Sequence, residues 1–257
     1  MKGLRKRGEP GELAGKTVLV TGGARRVGAA ICRRLHRAGA NVMMHYRTSH
    51  RDAMRLRRGL EAERPNSVAC VAADLLHHTE LAALVQSALD HFGRLDALVN
   101  NASSFYATPF GHITLRDWTD LIGTNLQAPL FLSQAAAPEL TRRRGAIVNI
   151  ADIHADRPLE GHVTYSIAKA GLVALTRSLA RELGPHVRVN AVAPGAIAWP
   201  EEGILAEPLV QADIVARTPL RRIGSIDDIA SAVHYLLTAP FITGQVLAVD
   251  GGRSVVM

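Results

Sequence analysis

Cysteine is nearly absent from this 257-residue chain, with Cys32 and Cys70 its only two. They stand far apart in separate apolar segments, which excludes a disulfide-stapled scaffold and a cysteine-based zinc site and predicts two buried, reduced thiols. Aromatic residues make up 4%, so a sandwich rich in tyrosine and tryptophan is excluded; abundant alanine and valine predict small aliphatic side chains packed between sheet and helices. No segment approaches the ~18 uninterrupted apolar residues of a membrane span, and no apolar run follows the basic N-terminus, so neither a membrane anchor nor a signal peptide is expected. Repeats, low-complexity tracts and linkers are missing too. The expectation is a cytoplasmic protein with no membrane or nucleic-acid partner.

What is present is a composition that folds, with 47% hydrophobic and 21% charged residues, far from the low-hydrophobicity regime of disordered chains. The formal charge is +7, of which Lys2, Arg5, Lys6, Arg7 and Glu9 contribute +3, leaving a moderately basic body. Such a body can attract a phosphate-bearing cofactor or a polyanionic substrate. Most arginines, including Arg142, Arg143 and Arg144, read as solvated surface.

Apolar runs and helical periods alternate along the chain. Strands are predicted at Thr17–Val20, Asn41–His45, Ser67–Ala73, Asp96–Asn100, Gly145–Ile150, Val187–Val192 and Val246–Val249. The intervening helices include Arg51–Glu63, Thr79–Phe92, Trp118–Leu140, Val163–Leu183 and Ile226–Leu237. Residues 194–224 interrupt the rhythm with Pro194, Gly195, Pro200, Gly203, Pro208 and Pro219. Strand–helix alternation of this length implies parallel pairing with right-handed crossovers, and hence one Rossmann-type, doubly wound α/β domain of about seven strands with helices on both faces.

The first strand ends in Thr21-Gly22-Gly23-Ala24-Arg25-Arg26-Val27-Gly28. Glycines after a strand and before a helix let backbone N–H groups approach a pyrophosphate. The second strand is followed by His45-Tyr46-Arg47-Thr48-Ser49, where a carboxylate would favour a ribose 2′-hydroxyl. The planar fork of Arg47 and the hydroxyls of Thr48 and Ser49 instead suit a 2′-phosphate, so the expected cofactor is NADP(H). Asp74, next to Leu75, suits the adenine amino group.

Tyr165 and Lys169 lie four residues apart on one predicted helix face, in a chain with four tyrosines and four lysines, so a chance pairing at this spacing is rare. Lys169 is the sole lysine beyond Lys16, against 26 arginines. An ammonium beside Tyr165 is expected to stabilise its phenolate and lower its pKa toward a range useful for proton transfer. His154 and His162 have no metal-ligand spacing and read as surface or loop residues, and no metal is expected.

With these residues in place, the chain resembles the short-chain dehydrogenase/reductase family over nearly its full length. The resemblance rests on the Thr21–Gly28 turn, Asp74-Leu75, Asn100-Asn101-Ala102, Asn125, Tyr165-Ser166-Ile167-Ala168-Lys169 and Pro194-Gly195. It implies that Tyr165 donates a proton, that Lys169 holds the nicotinamide ribose, that Asn125 supports a water-linked relay, and that the chain forms a homotetramer through its long helices. The family's usual serine, thirteen residues before the tyrosine, is Asp152 here, and its middle turn glycine is Arg26. An ionised aspartate cannot donate to a ketone oxygen as a serine does.

These departures are similar to the pteridine reductase branch, together with Arg47, Ser49 and Asn101-Ala102-Ser103-Ser104-Phe105-Tyr106. That likeness implies that Phe105 stacks a pterin against the nicotinamide. It also implies that Ser103 and Arg26 reach both pterin and cofactor phosphates, and that Trp199 either lines the pterin site or packs a substrate loop near 194–224. Residues 1–14 would be a flexible basic tail and 15–257 the catalytic domain. The expected reaction is NADPH-dependent reduction of dihydropterins, with oxidised pterins or dihydrofolate as further substrates. The alternatives are a carbonyl reductase acting on an acyl thioester or sugar, and a catalytically silent NADP-binding regulator.

Overall fold

Valine, leucine, isoleucine and alanine fill the short strands almost without interruption, as strands covered on both faces require. In the computed structural model, which describes residues 11–199 and 206–257, the elements alternate as follows. They are β1 (Thr17–Val20), α1 (Arg26–Arg37), β2 (Asn41–Tyr46), α2 (His50–Glu63), β3 (Val68–Ala72), α3 (Leu81–Phe92) and β4 (Ala97–Asn100). Then come α4 (Leu115–Ile122), α5 (Ala128–Arg143), β5 (Ala146–Ile150), α6 (Val163–Glu182), β6 (Arg188–Pro194), α7 (Pro208–Arg217), α8 (Ile226–Thr238) and β7 (Val246–Val249). The seven strands form one parallel sheet in the order β3-β2-β1-β4-β5-β6-β7. The order reverses between β1 and β4, and in open α/β sheets ligands bind in the crevice beyond the strand ends at such a reversal.

Side chains alternate across the strands, so neighbouring residues feed opposite cores. Val18, Val20, Val42, Met44, Val99 and Val148 pack toward α1, α2 and α8, with Ile31, Leu35 and Val233. Leu19, Met43, Leu98, Ile147 and Val189 pack toward α3 and α5, with Leu84, Leu132 and Leu140. Cys32 is buried, Cys70 is half-buried and both are free thiols.

Two expectations need correction. The first concerns residues 11–14, which belong to the domain rather than to a tail, because Leu13 is buried and its N–H donates to the Ala38 carbonyl at 3.0 Å. The basic residues up to Arg7 lie outside the described residues. The second concerns the expected helix Trp118–Leu140, which is three pieces. Helix α4 starts at Leu115 behind a Thr114–Asp117 capping box, Gly123–Gln127 forms a π-turn, and α5 continues to Arg143. The interruption at 194–224 holds α7, while residues 200–205 lie outside the described residues. No helix among the described residues is long and apolar enough to cross a membrane.

Candidate active site

A cleft of about 520 Å³ opens beyond the strand ends at the β1/β4 reversal, from the glycine turn to Lys169. Gly22 adopts a left-handed φ of +60° with its Cα side against Ala102, and a Cβ on Gly28 would lie 2.1 Å from the Gly22 carbonyl oxygen. The turn and helix α1 therefore meet at a distance only glycine permits. Asn101 fastens the floor, its Nδ2 donating to the carbonyls of Thr21 (2.9 Å) and Gly22 (3.1 Å). Thr21 Oγ1 accepts from the N–H groups of Asn101 and Ala102 at 2.9 and 3.0 Å. Helix α1 begins after Arg25 without a side-chain cap, and its first turn holds no acid. Its N–H groups and positive dipole end fit a bound pyrophosphate, with Arg25, Arg26 and Val27 lining the cleft around them.

His45 stands beneath this turn rather than facing outward. It is 2% exposed, its Nδ1 accepts from the Gly22 N–H at 3.2 Å, and its Nε2 pairs with the Ala73 carbonyl at 3.1 Å. The two partners require a neutral ring, and burial holds its pKa below the usual histidine value. Arg47, Thr48 and Ser49 line the far end of the cleft; Arg47 and Thr48 are exposed, and the Ser49 hydroxyl makes no capping bond to α2. Tyr46 is buried, with its hydroxyl 2.8 Å from His50 Nδ1. Asp52, the first acid after β2, faces Arg25 and Arg55 at 3.6 and 3.3 Å. The end of β2 thus presents cationic and hydroxyl groups, which fits a 2′-phosphate. Asp74 Oδ1 accepts from the Leu76 N–H at 3.0 Å, and Leu75 is buried beside it. Pro194 ends β6, and a Cβ on Gly195 would lie 2.7 Å from Asp250 Cβ.

The catalytic candidates converge at the other end of the cleft. Asp152 opens a short 3₁₀ turn after β5; its Oδ1 accepts from the His154 N–H at 2.9 Å and its Oδ2 from the Tyr165 hydroxyl at 2.7 Å. Lys169, 2% exposed, donates to the Ile150 carbonyl at 2.8 Å and lies 5.6 Å from the Tyr165 ring centre. Burial lowers the lysine pKa to about 8, with Asp152 opposing. The expected lowering of the Tyr165 pKa is not what the site produces. Burial first, and the adjacent Asp152 carboxylate second, hold the phenol well above its ordinary value. Tyr165 is therefore a protonated donor whose O–H is already aimed by a carboxylate.

Asn125 sits in the π-turn, where the extra residue turns its side chain inward. Its Nδ2 donates to the carbonyls of Ser104 and Leu121, both at 2.9 Å, and its Oδ1 accepts from the Ser103 hydroxyl at 2.6 Å. Ser103 lines the cleft, so Asn125 is linked to it through that hydroxyl. Phe105 adjoins Tyr165 edge-on, with ring centres 4.8 Å apart, but neither Phe105 nor Trp199 lines the cleft itself. Arg26 has a left-handed φ of 47°, and its guanidinium donates to the carbonyls of Ala198 and Trp199 at 3.2 and 3.3 Å. The glycine turn is thereby tied to the start of the loop after β6.

His162, read from sequence as a surface or loop residue, is instead 8% exposed and stacks on Phe105, with ring centres 4.9 Å apart and planes 14° from parallel. It is the residue immediately before α6, three positions ahead of Tyr165, and that closeness in sequence was the available signal.

Comparison with known proteins gives a consistent pattern. A family model described as enoyl-(acyl carrier protein) reductase matches residues 22–254. Pteridine reductase 1 of Leishmania tarentolae is 37% identical over 92% of this chain and 95% of its own length. A ketoacyl reductase assigned to the granaticin polyketide synthase of Streptomyces violaceoruber is 37% identical over 91% of this chain and 94% of its own. The 3-oxoacyl-acyl-carrier-protein reductase FabG of Staphylococcus aureus is 35% identical over 92% and 97%.

Proposed function

From the premise that this chain belongs to the short-chain dehydrogenase/reductase family, we propose that it is an NADPH-dependent pteridine reductase. Its reaction would be reduction of a ring C=N bond of a dihydropterin. The observation that carries this reading is Asp152 bonded to Tyr165 at 2.7 Å, at the position where a carbonyl reductase needs a hydroxyl donor. A carboxylate repels a developing ketone oxyanion but accepts hydrogen bonds from ring amines. The pteridine reductase relative, the cationic end of β2 and the exposed face of Phe105 support the same reading.

The turn from Gly22 to Gly28, the uncapped N-terminus of α1, Arg47 and Lys169 would hold NADPH, which supplies the hydride. The protein's own work is proton delivery. Reduction of C=N leaves an electron pair on nitrogen, and the Tyr165 O–H, kept protonated by burial and by Asp152, donates to it. The phenolate so formed would recover a proton from the cleft, which Ser103, oriented by its bond to Asn125, lines with a hydroxyl, while the nearby Lys169 ammonium stabilises it in the interval. The exposed apolar residues Leu115, Trp118, Phe131 and Ile167 on α4, α5 and α6 support the assembly we propose, a homotetramer, testable by sedimentation.

The ketoacyl reductase relatives favour a carbonyl substrate as the second reading. An NADPH-oxidation assay comparing dihydrobiopterin, dihydromonapterin and dihydrofolate with a ketone separates the two. Asp152→Ser should lower pterin reduction by about 10²-fold, the scale of a lost acid–base contribution, and admit weak ketone activity. Tyr165→Phe should reduce turnover far more than pterin binding. Intact pterin turnover in Asp152→Ser, or a wild type faster on ketones than on any pterin, transfers the assignment to the carbonyl reductases.

A further inference from the structure

Three aromatic rings, Phe105, Tyr165 and His162, meet at one end of the cleft, and only the first two have a role so far. Phe105 stands edge-on to Tyr165 and nearly parallel to His162. His162 is held at the start of α6 by one ring hydrogen bond and by its backbone. It precedes Val163, the first residue of α6, and its Nδ1 donates to the Glu160 carbonyl at 2.8 Å. Its backbone forms a bridge with Thr108, whose N–H donates to the Gly161 carbonyl, so the Phe105 loop is stitched to the start of α6 at this point. The backbone on either side of Phe105 is held at Ser104 and Thr108, but its ring is 43% exposed and lies in a segment that is neither helix nor strand.

We infer that His162 is a positioning residue that determines specificity for flat substrates: its imidazole backs one face of Phe105 and holds the phenyl ring in the plane in which its other face receives a heteroaromatic ring. The inference rests on the pteridine reading, because only a flat ring gains from a platform of fixed orientation. An offset or parallel aromatic contact loses its geometric preference once one ring is free to tilt. His162 does not line the cleft and has no hydrogen bond to Asp152, Tyr165 or Lys169, so its effect should fall on substrate binding rather than on chemistry.

The test is steady-state kinetics on wild type, His162→Leu, His162→Phe, Phe105→Ala and the double variant His162→Leu/Phe105→Ala, with dihydrobiopterin as substrate and NADPH affinity as the control for folding. His162→Leu keeps apolar bulk but removes the flat face, and should raise KM about three- to tenfold, the factor expected from one lost aromatic pair, with kcat and NADPH affinity near wild type. His162→Phe should restore the wild-type KM. In the Phe105→Ala background, His162→Leu should add nothing, because the platform it supports is gone. An unchanged KM in His162→Leu, or the same increase with and without Phe105, overturns the inference while leaving the pteridine reading intact. A wild type that turns over no dihydropterin overturns both, and does so before any variant is made.

Discussion

Lys169 reaches the Ile150 carbonyl from a position with almost no solvent, and burial brings its pKa down to about 8. The lowered value means that the ammonium form is lost within an ordinary assay range. Below pH 8 the free enzyme carries the cation; as pH rises through about 8 it is lost, and kcat/KM is expected to fall along that limb. A pH profile that stays flat to pH 10 would remove Lys169 from the reaction. At the opposite end of the cleft, Arg47→Ala should weaken NADPH and leave NADH nearly unchanged, because only the former loses a charge-assisted contact; equal losses in a fluorescence titration would sink the assignment. Tyr165 and Lys169 were legible as a pair from spacing alone. The direction of the tyrosine's shift was not, because burial and the distance to Asp152 are set by segments 13 residues apart and leave no mark on local pattern.

At the scale of elements, the seven strands were legible because each is a short apolar run bounded by turn residues. The helix over 115–143 was less so. Thr114 and Asp117 carry the three-residue spacing of a capping box, which marks the start at Leu115. The π-turn at Gly123–Gln127 has no such signature, since an extra residue per turn preserves apolar character on both sides. Its effect is nonetheless specific, because it delivers Asn125 to Ser103 and Ser104. Deleting Gln127 should restore an unbroken α-helix with both flanks close to their present register, and withdraw Asn125 from the inward position the π-turn gives it. Expected results are a large loss of turnover with the far-ultraviolet helical signal retained. Normal activity in the deletion variant would show that Asn125 needs no such placement.

Taken as a whole, the molecule places its chemistry where the order of a parallel sheet reverses, and that much follows from strand–helix alternation and the position of the glycine turn. The tie between Arg26 and the loop after β6, and the stack of His162 on Phe105, join segments distant in sequence and were visible only once the chain was folded. A chain with four lysines also offers a nearly blank background for amine-directed labelling. At pH 8 roughly half of Lys169 is the neutral nucleophile, and it opens onto the cleft, whereas Lys16 is exposed elsewhere and serves as an internal reference. A small acylating reagent followed by peptide mass mapping should therefore modify both, with NADPH protecting Lys169 and leaving Lys16 unaltered. Protection plotted against NADPH concentration would then give a binding isotherm read from a single side chain, without turnover and without knowledge of the substrate.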